Sequence, residues 1–261
     1  MKKSILYVCA FVFLGIYSCK KESDQIDNAV KAPLEIEFDH IVGGKKLALG
    51  DANQNSAGQD FTIDLLKYYI SNIKLKTTEG KEVVVPQDES YFLIDASNAA
   101  SCRAHINIPE GDYAQLSFVL GVDSLRNTKP IEDRTGVLDP ENEMYWGWNS
   151  GYIFFKMEGS SPSIPAVDKK YRFHIGGFGG YSTPTVNNLR TIQLDLTKGG
   201  IAKVRADRKA NVHLKIDLLK VVDGNAHTFD FSADAVNIMS PAAGTAIADN
   251  CAGMFVHDHS H

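Results

Sequence analysis

The sequence predicts an all-β protein, an antiparallel and Greek-key-like β-sandwich with long loops. Three observations predict this class: apolar and polar residues alternate with a period of two, Gly, Pro and Asn punctuate the β-rich runs, and helical periodicity is scarce. After removal of a leader, the 261-residue chain is long enough for one large β domain or two small ones. We predict one domain over residues 33–261.

The alternation is clearest near the two ends of the domain. In LEIEFDH (residues 34–40) three apolar residues and His40 share one face, and the acidic residues share the other. VHLKIDL (residues 212–218) repeats the pattern, with His213 on the polar face. Further predicted strands are YAQLSFVLGV, YRFHIGG and RTIQLDLT.

One segment has the length of a helix. DFTIDLLKYYISNIKL (residues 60–75) is rich in aromatic and β-branched residues, and TTEG after it is typical of a hairpin. We therefore predict a strand here, preceded by a single helical turn at residues 62–66. The Gly-, Ser- and Pro-rich stretches 158–165 and 176–188 are predicted to be long loops.

The N-terminus has the pattern of a bacterial lipoprotein leader. Two lysines precede an apolar stretch, residues 5–16, that is too short to span a bilayer. Residues 1–18 are predicted to be the signal peptide, Cys19 the lipidated residue, and the polar residues 19–32 a tether. A plain secretory signal is the alternative. The prediction places the protein in the bacterial cell envelope, anchored by lipid on the periplasmic side or at the outer-membrane surface.

Two thiols remain after the leader and the lipidated cysteine are set aside. In an oxidising compartment Cys102 and Cys251 could form one disulfide. Two unpaired buried cysteines are the alternative.

Charge and motifs argue against two functional classes. A formal net charge of −5, without a basic stripe, disfavours nucleic-acid binding. The sequence lacks a nucleophile elbow, a phosphate-binding loop, an H-E-x-x-H pair and zinc-spaced cysteines, so we expect the protein not to be an enzyme. A hydrolase with acids that are distant in sequence stays open.

The histidines offer candidate metal ligands. His40 ends an apolar strand face, and His174 lies beside the flexible GGFGG stretch. His105 and His213 fall on polar strand faces, where we expect solvation. For His40 the alternative is a hydrogen-bonded core residue. The tail HDHSH is expected to be disordered, with weak divalent-metal binding as the alternative.

Several motifs, in order, resemble a known family. GVDSLRN, GVLDPENEMYWGWNSGYIFFKMEG and FHIGG, together with FDHIVGGKKLALG and KYYISNIKL, look like the MbnP-like copper-binding family, relatives of the methanobactin-associated copper protein. The similarity runs from about Leu34 to the C-terminus. The two tryptophans at fixed spacing, ahead of an apolar strand, are the most specific part of it.

The resemblance implies copper as the ligand and a modified tryptophan. In the family's methanobactin-associated member, a dihaem, peroxidase-like partner oxidises a tryptophan to kynurenine; here the matching candidates are Trp146 and Trp148. The best ligand candidates are His40 and His174, since imidazole and amine nitrogens suit copper. In some distant relatives the kynurenine lies two residues before a ligand histidine, whereas this chain has Phe38 there. Core packing of the two tryptophans is the alternative.

The sequence therefore predicts a lipid-anchored envelope protein that binds copper for acquisition or homeostasis. The alternative function is a carbohydrate- or peptide-binding surface lipoprotein. In that case Trp146, Trp148 and Tyr152 would form an exposed stacking platform.

Overall fold

Strands form most of the regular structure in the computed structural model, which describes residues 30–148 and 151–261. The strands are β1 (Lys31–Val42), β2 (Lys45–Lys46), β3 (Ala52–Gln54), β4 (Asp60–Thr62), β5 (Leu65–Thr77), β6 (Glu82–Val84), β7 (Tyr91–Asp95), β8 (Arg103–Pro109), β9 (Gly111–Leu120), β10 (Tyr145–Trp146), β11 (Gly151–Ser160), β12 (Lys170–Gly176), β13 (Arg190–Asp195), β14 (Ala202–Val204), β15 (Ala210–Asp217), β16 (Asn237–Ile238) and β17 (Phe255–Ser260).

The helices are few and short. They are α1 (Ser124–Asn127), α2 (Leu219–Val222) and α3 (Thr245–Ala252), with 3-10 turns at Gln87–Glu89, Ile131–Asp133, Gly136–Leu138 and Pro140–Asn142. Across the described ranges, every helix falls short of the length and apolar character needed to cross a bilayer.

The smaller sheet is built around β1. Its order is β17-β15-β1-β2, and β8 pairs with β1 on the same edge as β2. The β1–β15 pairing is parallel, whereas the other pairings in this sheet are antiparallel. The N-terminal strand therefore lies in the middle of this sheet, between segments from distant parts of the chain.

The larger sheet has the order β13-β9-β5-β11-β12-β16. Short strands extend it: β6 and β7 pair with β5, β10 with β11, and β14 with β9. β5 is its central strand, because it is hydrogen-bonded to four other strands: β6, β7, β9 and β11. A separate two-stranded ribbon is formed by β3 and β4.

An interlayer core fills the space between the two sheets. Phe38 of β1 makes edge-to-face contacts with Tyr68 and Phe118 of the larger sheet, with ring centroids 6.3 Å apart in both cases. These rings belong to one buried cluster that also contains Val212 and Leu214 of β15. Since aromatic rings bury large apolar areas, these contacts hold the two layers together.

A second buried cluster, which we call the outer cluster, covers the opposite face of the larger sheet. Tyr69, Tyr152 and Phe154 are among its members, together with Met144 and Trp146. Neighbouring residues on a strand point to opposite faces, so Tyr68 faces the interlayer core while Tyr69 faces the outer cluster. We call these two sides the inner and outer faces of the larger sheet.

The predicted all-β sandwich is confirmed, with four differences in detail. Two strand pairs, β1–β15 and β12–β16, are parallel. The helical turn predicted at residues 62–66 is wrong, because β4 ends at Thr62, β5 begins at Leu65, and Ile63 and Leu66 are buried in the interlayer core. The predicted loop 158–165 begins three residues later, after β11, and β1 includes the last two residues of the predicted tether. The predicted leader and Cys19 lie outside the described residues.

Candidate functional site

His40 points from β1 into the interlayer core. It is 7% exposed, and its Nε2 lies 3.0 Å from the hydroxyl of Tyr68. On its other side, Nδ1 is 4.0 Å from the sulfur of Cys102. Burial lowers the pKa of His40 to about 4, so the ring is neutral at neutral pH. This arrangement matches the core-residue alternative, in which a hydroxyl satisfies the buried imidazole.

His174 lies on β12 and points to the outer face of the larger sheet. Its Nε2 is 2.7 Å from a carboxylate oxygen of Glu158, and its Nδ1 is buried without a hydrogen-bond partner. An ionised carboxylate only accepts, so Nε2 carries the proton in this bond. Burial lowers the pKa of His174, while the bond to Glu158 opposes that shift. The neutral ring thus has an uncommitted lone pair on Nδ1.

The structure does not bring His40 and His174 together. His40 contacts Tyr68, which stacks on Phe155 at the inner face. Lys156 follows Phe155 on β11, so its side chain projects from the opposite, outer face. His174 pairs in register with Lys156 and lies on that outer face. The larger sheet separates the two imidazoles, and they cannot ligate one metal ion. The alternation in the sequence assigned each histidine to one face of its strand. It could not predict which sheet the strand joins or which side of that sheet the face covers.

The two tryptophans have different surroundings. Trp146 is 3% exposed and belongs to the outer cluster, whereas Trp148 is 65% exposed. Their ring centroids are 5.4 Å apart and their planes are tilted by 42°. The indole Nε1 of Trp146 is buried without a hydrogen-bond partner. One ring is thus a core side chain, and the other lies in solvent against it.

The aromatic platform of the alternative function is not formed. Tyr152 is fully buried and donates its hydroxyl to the carbonyl of Leu138 at 2.6 Å. Since Trp146 is buried as well, Trp148 is the only member of that trio that is open to a ligand. A single exposed ring is not a platform on which successive sugar rings or peptide side chains can stack.

The GVDSLRN motif fastens the segment that precedes Trp146 to the larger sheet. Asp123 caps α1 by accepting from the backbone N–H of Arg126 at 3.2 Å. The side chain of Asn127 donates to the carbonyl of Asp123 and accepts from the backbone N–H of Tyr152 at 2.9 Å. These bonds fasten the segment after β9 to the start of β11, so that residues 122–146 cover the outer face. The motif is structural.

Trp146 and His174 share the outer face of the larger sheet. The ring of Trp146 lies so close to Gly176 that a Cβ there would be 2.6 Å from the indole. His174 is two positions earlier on β12, so its side chain leaves the same face about 7 Å away along the strand. Both residues have a buried nitrogen without a partner. The imidazole Nδ1 suits a copper ion, but an intact indole N–H is a donor and does not.

The predicted disulfide is wrong: Cys102 and Cys251 are both free thiols. Cys102 lies just before β8, against His40, and Cys251 is buried in α3. Helix α3 packs on α2, whereas Cys102 lies at the β1–β8 side of the smaller sheet. Spacing along the chain gave no information about this separation.

The C-terminal tail is ordered, contrary to expectation. HDHSH contributes most of β17, which pairs with β15 along the edge of the smaller sheet. His213, Asp258 and His259 place their ligand atoms within 4.8 Å of one another, the only such group of three among the described residues. His213, predicted to be solvated, is only partly so: its side chain is 18% exposed and its Nδ1 is buried. Alternating histidines in the tail were a signal of a strand, but its partner could not be inferred from sequence.

Comparisons with known proteins agree on one family. A family model described as MbnP matches residues 31–240. Among solved structures, MbnP from Methylosinus trichosporium is similar, with a TM-score of 0.55 and 16% sequence identity over 80% of this chain and 83% of that one. At this identity the likeness concerns the fold alone. No curated protein shows significant sequence similarity to the chain.

Proposed function

Since the chain belongs to the MbnP family, we propose that it is a copper-binding protein of the bacterial cell envelope, in which His174 is a ligand and Trp146 lies beside the metal. The resemblance of the WGW segment to copper-binding relatives supports the choice of metal. The proposed role is acquisition or homeostasis of copper rather than catalysis.

The observation that carries this proposal is the environment of His174. Metal-binding histidines usually donate their second ring N–H to a carboxylate, which fixes the tautomer and leaves the other nitrogen for the metal. His174 has this arrangement, because Glu158 accepts from Nε2 at 2.7 Å and Nδ1 is buried without a partner. His40 lacks it, since both of its nitrogens face protein groups.

Trp146 is the better candidate for oxidation. An indole N–H offers no lone pair to a metal. Cleavage of the indole C2–C3 bond by two equivalents of peroxide, each reduced to water, would place one oxygen atom on each carbon, and hydrolytic loss of the C2 carbon as formate would then leave an aromatic amine that does offer one. The oxidising equivalents would come from a dihaem, peroxidase-like partner, as the family resemblance implies. Trp148 packs against Trp146 from the solvent side and is accessible to such a partner, with 65% of its surface exposed. In this proposal Trp148 transfers the oxidising equivalents from the partner to Trp146, and Trp146 is the residue that is modified.

His174→Ala should weaken copper binding by about a hundredfold, because the remaining donors must recruit water in its place. Glu158→Gln should weaken it by about tenfold to a hundredfold through loss of the orienting carboxylate. Competition titration of tag-free mature protein from the native host measures both effects. His105→Ala is the matched control, since that imidazole lies on the polar face of β8 with 63% of its side chain exposed. Equal copper affinity in His174→Ala and wild type would refute this ligand assignment.

Peptide masses test the modification separately. Native protein should contain an oxidised Trp146, and Trp146→Phe should abolish the mass shift in the peptide that spans residues 144–156. Trp148→Phe should slow the modification without moving it, because the exposed ring only relays oxidation. An unmodified peptide from native material would leave Trp146 as a core residue.

Attachment to the membrane is proposed to occur through Cys19. A diacylated and N-acylated cysteine anchors stably, where one acyl chain would be marginal. Cys19→Ala should therefore move the protein from the membrane fraction to the soluble fraction, as measured by immunoblot after fractionation. The control is Cys102→Ala, which removes a thiol that is half-buried in the domain. Retention of Cys19→Ala in the membrane would show that another feature anchors the chain.

A further inference from the structure

We propose that His213, Asp258 and His259 form a separate binding site for a divalent transition-metal ion on the solvent-facing side of the smaller sheet. The two imidazole nitrogens and one carboxylate oxygen are donors that suit Cu(II) and Zn(II), with Cu(II) the tighter of the two for a given nitrogen and oxygen site. This site is independent of the one proposed at His174.

The strand register brings the two histidines together. His213 of β15 pairs directly with His259 of β17, and their ring centroids are 4.8 Å apart. On the other side, His213 pairs with Glu37 of β1. Directly opposite residues on one face have closely spaced Cβ atoms, so Glu37, His213 and His259 form a row across three strands. Both imidazoles thus leave the sheet on the same side.

A β-bulge adds Asp258 to this face. The register passes from the His213–His259 pair to the Leu214–His257 pair, which leaves Asp258 as an extra residue on β17. In a regular strand Asp258 and His259 would point to opposite faces. The bulge turns Asp258 towards the imidazoles, with its Oδ2 3.0 Å from Nδ1 of His259 and 3.5 Å from Nδ1 of His213. Bulges commonly redirect a side chain at functional sites.

The buried ring nitrogen of His213 indicates that the site lacks a ligand. Nδ1 of His213 is buried and makes no hydrogen bond. The three donor atoms lie within 4.8 Å of one another, and tetrahedral coordination with bonds of about 2.0–2.2 Å needs separations of about 3.5 Å. His259 is half-exposed at the sheet edge, so a small rotation of its ring closes the difference. A metal ion between the three groups would satisfy the orphaned nitrogen.

Lys215 limits the affinity of this site. Its ammonium lies 2.6 Å from Oδ1 of Asp258, so one carboxylate oxygen is neutralised while Oδ2 faces the imidazoles. Hydrogen bonds from Lys215 and then His259 hold the pKa of Asp258 below its ordinary range, and the carboxylate stays ionised. A nearby cation repels a metal ion. The open fourth position and this repulsion suit an ion that exchanges with solution rather than one held permanently.

The test uses tag-free mature protein titrated with Cu(II) alone and, separately, with Zn(II) alone. All variants are made in a His174→Ala background, so that the other proposed site contributes no imidazole. This background protein should bind an ion whose Cu(II) electron paramagnetic resonance spectrum shows nitrogen coupling from imidazole. His259→Ala should remove that signal and weaken the site at least about tenfold. Lys215→Met should strengthen binding severalfold, since it removes the repelling charge without removing a donor.

Controls keep the two proposed sites apart. His257→Gln alters a histidine on the same strand whose Nε2 instead contacts Ser260, and it should leave the signal unchanged. The His174→Ala background removes the ligand of the first site from every sample, so failure of the first site would not affect this test. His259 is exposed, and its alanine variant should fold normally, as circular dichroism will verify. An unchanged nitrogen-coupled spectrum and affinity in both His213→Ala and His259→Ala would overturn the proposal.

Discussion

Gly176→Ala is expected to destabilise the protein by about 3 kcal/mol, at the upper end of the cost of overpacking a core. An added Cβ would lie 2.5 Å from the carbonyl oxygen of Tyr152 and 2.6 Å from the ring of Trp146. The first contact is with the backbone of the neighbouring strand, which cannot rotate away. The indole must then move out of the outer cluster, and strand pairing between β11 and β12 must shift.

Urea unfolding monitored by tryptophan fluorescence measures both consequences. The midpoint should fall, and the folded protein should emit at longer wavelength because Trp146 becomes more exposed. Gly147→Ala is the matched control: it lies one residue after Trp146, and a Cβ there meets nothing within 4 Å. A Gly176→Ala variant with wild-type stability and emission would show that the outer cluster is loosely packed.

Asn250→Ala should cost about 3 to 4 kcal/mol, since several buried hydrogen bonds are lost and their partners stay buried. Asn250 is 2% exposed on α3. Its amide donates to the carbonyls of Val221 and His227, and its carbonyl accepts from the backbone N–H groups of Ala226 and His227. One side chain thus satisfies four backbone groups, one in α2 and three in the segment that follows it.

Chemical denaturation of Asn250→Ala and of Asn225→Ala gives the comparison. Asn225 lies in the same loop but is exposed, so its variant should lie within about 0.5 kcal/mol of wild type. Asn250→Asp should be at least as damaging as the alanine variant, because it removes both donors and buries a carboxylate. Similar stability for the two asparagine-to-alanine variants would mean that water replaces the lost bonds.

The fold was predictable where one strand face is buried. Leu34, Ile36 and Phe38 point inward in the structure, as their alternation predicts, and so do Val212 and Leu214. The cause is local: a residue's face follows from its position in the strand. The same pattern could not reveal that these two segments are parallel neighbours, because that pairing depends on the path of the whole chain.

The candidate sites were predictable only as single residues. His40 and His174 are both buried, as ligands or core residues would be, but they belong to opposite sides of the larger sheet. The cluster at His213 needs a cross-strand register and a bulge at Asp258, neither of which is encoded in local spacing. The burial of Trp146 and the exposure of Trp148 likewise depend on the segment that covers the outer face.

The parallel pairing of β1 with β15 affects the order of assembly. Leu34 pairs with Ala210 and Ile41 with Asp217, so the first strand of the domain finds its partner only near the end of the chain. Closing so long a loop lowers the entropy of the chain before the strands make any stabilising contact. Folds rich in contacts between residues far apart in sequence take about milliseconds to seconds to form. A chain that emerges from its N-terminus therefore keeps the smaller sheet unfinished until β15 and β17 have been synthesised. The proposed metal site at the β15–β17 edge can therefore form only after this sheet is assembled.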